Sequence, residues 1–194
     1  MTRPRATAGL VALAATAVVL LIVGVGAGQS GQRPTSGPFA WLHPASPPAG
    51  WTEARIAGGA TLGYPPGWTP VKTDPGTASA ALLSGSGRID GYLNATPKQG
   101  AETLANWSRF RPQHNRGEDD QNVRLIASAR NLKFRGGRGS CVIDTYTTSK
   151  ATYREIACLV SGRRSSAVIV AAAPVEHWNQ QAATLRRAVS SFAT

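Results

Sequence analysis

Cysteine is nearly missing from this chain: its 194 residues include only Cys141 and Cys158. Neither lies near residue 27, so no thiol is placed to take a lipid behind an N-terminal leader, and a lipoprotein is excluded. The two are not in CxxC spacing, and no histidine lies near them in sequence, which argues against a redox couple or a metal pair. Histidine is scarce as well, with His43, His114 and His177 only. The chain has no HExxH, no EF-hand loop and no phosphate-cradling glycine pattern. No GxSxG elbow presents a serine nucleophile. Ser140, inside Gly-Arg-Gly-Ser-Cys, reads as the start of a strand beside a cysteine. Glu118-Asp119-Asp120 is a compact acidic run without ligand spacing and reads as a solvated loop. No catalytic residue, metal or cofactor is therefore assigned. Acidic side chains are also few, 10 against 21 Lys and Arg, for a formal net charge of +11.

What is present in quantity is apolar sequence at the N-terminus. Residues 8–27, AGLVALAATAVVLLIVGVGA, contain no charge, no proline and no amide side chain. At about 1.5 Å per residue, a helix of ~20 residues matches a hydrocarbon core of roughly 30 Å. Lipid offers the backbone no partners, so a helix is required there. Arg3 and Arg5 precede the stretch, and Arg33 is the first cation after it. Basic flanks stay inside, so residues 1–7 are expected to form a cytoplasmic tail and residues 28–194 to lie outside the cytoplasm. The rival reading is a cleaved signal peptide, with Val25-Gly26-Ala27 as the small residues before the cut and a secreted product. The apolar run is longer than the ~7–15 residues of ordinary signal cores, which favours the uncleaved anchor.

Residues 28–50 are rich in Gly, Pro, Ser and Gln and read as a linker, loosely ordered by composition. Phe39, Trp41 and Leu42 interrupt it, with headgroup contact or docking onto the domain as the alternatives. A domain follows at 51–194. Short strands are expected at 51–57 and 60–64 around Gly58-Gly59, at 68–72, and at 79–83 and 89–95 around Gly85-Ser86-Gly87. Helical spacing over 98–110 ends at Pro112, with a polar loop over 113–122. Strands are expected at 123–129, 132–134, 139–147, 153–161 and 165–172. A C-terminal helix from Pro174 carries the stripe Val175, Trp178, Ala182, Leu185, Val189, Phe192. Its expected place is on the face of an antiparallel sheet.

If the turn after residue 147 centres on Ser149-Lys150, Cys141 lies directly opposite Cys158 on a non-hydrogen-bonded site, where side chains come closest. A disulfide is expected there, in keeping with an oxidising compartment.

Without Arg3 and Arg5 the chain keeps 19 basic and 10 acidic side chains, a net of +9. Three groups of cations stand out: Arg109, Arg111, His114 and Arg116; Arg130, Lys133, Arg135 and Arg138; and Arg163 with Arg164. Outside the cell nucleic acid is not the expected partner. A protein partner, anionic lipid or an anionic envelope polymer is, each nearby cation adding about 1 kcal/mol at a charged surface.

The run Leu62-Gly63-Tyr64-Pro65-Pro66-Gly67-Trp68 resembles the opening of PsbP-like domains, where a strand ends in a Y-P-x-G-W turn. The ending, a long helix closing on Ser190-Ser191-Phe192, is similar too, and the likeness covers about residues 51–194. The resemblance implies an α+β fold, an antiparallel sheet between helices. It implies binding or assembly rather than catalysis, in relatives that are often exported and anchored. It carries no ligand residues onto this chain. An envelope-acting hydrolase or transferase, and a purely electrostatic binder, are the alternatives.

Overall fold

Alternating apolar residues turn nearly half of the chain after residue 50 into strands. The computed structural model describes residues 37–194. The expected tail and anchor, 1–7 and 8–27, lie outside the described residues. In chain order the elements are β1 (Thr52–Arg55), β2 (Thr61–Tyr64), β3 (Thr69–Pro70), β4 (Ala78–Leu83), β5 (Ile89–Pro97), α1 (Trp107–Gly117) and β6 (Gln121–Phe134), then β7 (Gly137–Thr147), β8 (Thr152–Gly162), β9 (Ser166–Pro174) and α2 (Trp178–Ser191). β1 and β2 form a two-stranded ribbon. The others form one seven-stranded antiparallel sheet in the order β3-β4-β5-β9-β8-β7-β6. Among the described residues no helix is long and apolar enough to cross a membrane.

The two faces of the sheet are read directly from side-chain alternation. One face carries Leu93, Ala95, Ile143, Ile156, Val160, Ile169 and Ala171, and α2 covers it with Trp178, Leu185, Val189 and Phe192. The other carries Val142, Ala157, Leu159, Val168 and Val170, and α1 covers part of it through Trp107. The Trp107 indole N–H donates to the Ala157 carbonyl at 2.9 Å, so the buried ring loses no hydrogen bond. Each face thus has one helix, and the α+β expectation holds for the described domain.

The β7–β8 register is the one expected from the turn at Ser149-Lys150. Cys141 faces Cys158, with Cα atoms 4.1 Å apart, and the two are bonded. The bridge is buried on the α2 face. Removing it with a Cys141→Ala/Cys158→Ala pair should lower stability by about 3 kcal/mol through the freed unfolded chain. Urea unfolding of the oxidised and bridge-free proteins measures this. Equal midpoints would mean that the bond constrains nothing.

The Tyr64–Trp68 motif has a plain mechanical role. Gly67 sits at φ +83° and the Trp68 N–H returns to the Pro65 carbonyl, which makes a turn that favours glycine at its third position. Tyr64 and Trp68 are then both buried. Gly91 of β5 is required beneath the indole, since a Cβ there would lie 2.7 Å from a Trp68 ring carbon.

Four expectations change. The helix expected over 98–110 forms instead at Trp107–Gly117, with Pro112 inside it, so half of the expected 113–122 loop is helical. Its start is marked by Thr103 and Asn106, whose side chains each accept the other's backbone N–H in a reciprocal capping pattern just ahead of Trp107. Pro112 forfeits one backbone bond, but it is buried, and the packing of Trp107 and Asn115 beside it holds the turn. The two strands expected at 123–129 and 132–134 are one bulged strand, β6, with Asn131 at φ +58°. The C-terminal helix starts at Trp178, behind a 3-10 turn over Val175–His177, which leaves Val175 48% exposed and outside the stripe. Finally, the linker sequence docks: Phe39 and Leu42 are buried in the α2-side core, and Trp41 lies under Arg186 at 5.6 Å. Apolar burial there outweighs a composition that reads as loose.

Candidate functional site

Strand register decides which cations meet. The β6–β7 turn and the β8–β9 turn lie side by side, because Gly137 pairs with Gly162 and Arg138 with Ser161. Arg130, Lys133 and Arg138 therefore come to the same corner of the sheet as Arg163 and Arg164, and all five are exposed. Lys133 is the direct cross-strand partner of Arg138. Like charges so opposed destabilise a sheet. No acidic side chain occurs in residues 129–143 or 157–174, the segments that build this corner, and the carboxylate nearest these turns is the main-chain one of Thr194, which packs against Gly136, Gly137 and Gly162. Arg135 is the exception in its group: it is half-buried and donates to the Ser191 carbonyl at 3.2 Å, serving the end of α2.

The cations of α1 do not join them. Arg116 donates to the Val123 carbonyl near the opposite end of β6. Arg109 is exposed, and the His114 ring stacks on Phe110 with centroids 6.2 Å apart. Arg111 turns inward and is not a surface cation. Its Nε and Nη2 donate to both oxygens of Glu155 at 2.7 and 2.8 Å, and Glu155 is fully buried. This is a bidentate, charge-assisted pair.

Glu155 has a second neighbour. Asp144 is its cross-strand partner, also fully buried, and among the described residues neither of its oxygens has a hydrogen-bond partner. Burial, and then the Glu155 charge, push the Asp144 carboxyl up to about 8. Asp120 at the end of α1 is raised for the same reasons in the same order, burial and then Glu155. Burial also raises the Tyr146 hydroxyl. Two paired carboxyls invite comparison with an acid–base dyad, yet both lie sealed beneath α1 and Arg111, out of reach of a substrate. Ser140 is likewise spent, donating to the Leu104 carbonyl at 2.6 Å. His177 faces Asp90 at 3.6 Å. Among the described residues no three His, Cys, Asp or Glu side chains are grouped to hold a metal.

Between α1 and β5 lies a polar cleft that motif reading does not find. One lobe, about 270 Å³, is walled by Trp107, Phe110 and His114 of α1 and by Thr96, Gln99 and Glu102 opposite. Glu102 is buried, and although burial raises its carboxyl, the N–H groups of Gln99 and Gly100 that it accepts hold it below its ordinary value. A second lobe, about 360 Å³, is lined by Asp74, Asn94, Asn115, Glu118 and Asp120, among others. The lobes share Thr96, Gln99, Arg111 and His114.

One signal for the buried acids was on the page in the sequence. The register that sets Cys141 opposite Cys158 also sets Asp144 opposite Glu155. No sequence pattern pointed to Arg111 as their partner, because α1 crosses the sheet from a distant segment.

An antiparallel sheet with α2 over one face, α1 over part of the other and a Tyr-Pro-Pro-Gly-Trp turn entering the core gives this chain a fold similar to that of PsbP. The solved structure of cyanobacterial PsbP (CyanoP) from Synechocystis sp. PCC 6803 has this fold: TM-score 0.56 at 15% identity, covering 76% of this chain and 94% of that one. A Pseudomonas aeruginosa protein of unknown function, PA94, described as a putative regulator, aligns at TM-score 0.49 and 12% identity over 74% of this chain and 96% of its own. LpqN of Mycobacterium tuberculosis, described as involved in cell envelope biogenesis, aligns at 0.41 and 12% over 74% and 89%. No family model and no curated protein matches the chain.

Proposed function

We propose that this chain is a membrane-anchored, extracytoplasmic binding module without catalysis of its own, which docks through its basic corner on phosphate-rich anionic material of the envelope. The single observation behind the reading is the gathering of Arg130, Lys133, Arg138, Arg163 and Arg164 at one corner whose strands and turns carry no acidic side chain, so that five cations outnumber the one main-chain carboxylate of Thr194. Lys133 opposite Arg138 gives up some sheet stability, a cost that an anionic partner would offset. The anchor at 8–27 would hold the domain at the outer face, and the PsbP-like fold accords with a binding role.

Full-length protein in zwitterionic nanodiscs should bind soluble polyphosphate. The affinity should weaken steeply with salt, because exposed charges are screened within about 10 Å at 0.1 M. The fourfold variant Lys133→Gln, Arg138→Gln, Arg163→Gln, Arg164→Gln should lose at least about tenfold, given ~1 kcal/mol for each cation near an anionic surface. Repeating the titration with anionic lipid in the discs separates lipid from polymer, since lipid in the same disc would compete. Affinity that ignores both salt and the four substitutions would remove the proposal.

A further inference from the structure

The α1–β5 cleft has a composition opposite to that of the basic corner. Its nearest cation, Arg111, is already committed to both oxygens of Glu155. The remaining charged groups of the larger lobe are the carboxylates Asp74, Glu118 and Asp120. A phosphate or sulfate would meet repulsion here. At the lobe's wall Asn115 is only 2% exposed, and its Nδ2 has no hydrogen-bond partner among the described residues. An unmet buried donor is costly to the fold, and a ligand acceptor would recover that cost.

The other walls supply the complementary groups. Asn94 donates its Nδ2 to Ser79 at 2.8 Å, which leaves its oxygen as an acceptor toward the lobe. Thr96 and Gln99 contribute a hydroxyl and an amide. The smaller lobe adds flat rings: Trp107, Phe110 and His114 form a continuous stack along α1, with centroids 6.0 and 6.2 Å apart. Polar walls that both donate and accept, beside a ring face, suit a molecule with many hydroxyls on one edge and C–H bonds on its faces. We propose that the cleft between α1 and β5 binds a saccharide, neutral or amine-bearing, with a ring against Phe110 and His114 and its hydroxyls on Asn94, Thr96, Asn115 and Asp120.

A hydroxyl both donates and accepts, so it can meet the Asn115 donor and the Asp120 and Asn94 acceptors. A polyanion is turned away by the carboxylates, and a purely apolar ligand would leave Asn115 unpaired. The cleft and the basic corner are built from different residues, so either can fail without the other.

Four probes test this on the full-length chain in a neutral detergent, by saturation-transfer NMR and calorimetry. They are an N-acetylglucosamine tetramer, a glucosamine tetramer, maltotetraose and a sulfated oligosaccharide. At least one unsulfated probe should bind, and the sulfated one should not displace it. Asn115→Leu should weaken that binding about tenfold, the equivalent of one lost hydrogen bond. His114→Ala removes an exposed ring from the outer end of the stack and leaves the buried core in place, so it tests the same cleft in a folded protein, and it should give a similar loss. An advantage of the glucosamine tetramer that disappears in Asp120→Asn would assign an amine to the carboxylates, and equal affinities would assign a neutral ring. If no unsulfated probe binds, or if binding survives His114→Ala and Asn115→Leu unchanged, the assignment is wrong. Polyphosphate binding would still stand in that case.

Discussion

Replacing Arg111 by methionine should cost about 3–5 kcal/mol of unfolding free energy, the range expected when one member of a buried ion pair is removed. Glu155 is fully buried, and both of its oxygens are held by Arg111. Without the guanidinium, Glu155 would face Asp144 with nothing to balance either carboxyl. The cost is therefore mainly that of a stranded acid, and only secondarily that of a lost contact. The pair Arg111→Met/Glu155→Met should recover most of the loss, because apolar groups of similar size satisfy such a site without desolvating charge. Arg111→Lys should fall in between, since an ammonium cannot reproduce the two-pronged geometry. Denaturant titrations of the three variants and the wild type close a double-mutant cycle on the pair. A loss below about 1 kcal/mol in Arg111→Met would show that the pair behaves like an exposed one.

What the sequence disclosed, and what it hid, follow from the range of each interaction. The β7–β8 hairpin was legible because one turn fixes its whole register, cysteines included. The α2 stripe was legible because its period is local, although Val175 lies outside the helix. The bounds of α1 differ from the expected 98–110 for a local reason too: a proline signals a stop, yet Thr103 and Asn106 set the start and buried packing carries the helix past Pro112. Register alone could place Arg130–Arg138 beside Arg163–Arg164, but only once the β7–β8 pairing was extended to the far turns. It could not show that Arg111 leaves the surface. That depends on how a helix from one segment crosses strands forty residues away, and no short-range pattern encodes it.

The same buried acids make the fold sensitive to alkali, with Asp144 as the lever. Its folded carboxyl is pushed up to about 8, first by burial and then by Glu155, while in the unfolded chain it titrates near the ordinary value of about 3.9. The folded state then binds the Asp144 proton more tightly than the unfolded state. Below pH ~4 both states carry it, and the residue adds no slope. Between about 4 and 8 the unfolded chain releases the proton first, so stability falls as pH rises, and above about 8 the full penalty is present. Asp120, also raised, adds a weaker slope of the same sign. Asp144→Asn cannot ionise, so its advantage over the wild type should grow across that window, to on the order of 3–5 kcal/mol by pH 8. Melting both proteins from pH 4 to 9 reads this out. The Arg111 guanidinium is charged throughout, so it cannot produce the divergence. Curves that stay parallel over the whole range would mean that Asp144 is ionised in the fold at neutral pH, with water reaching its oxygens.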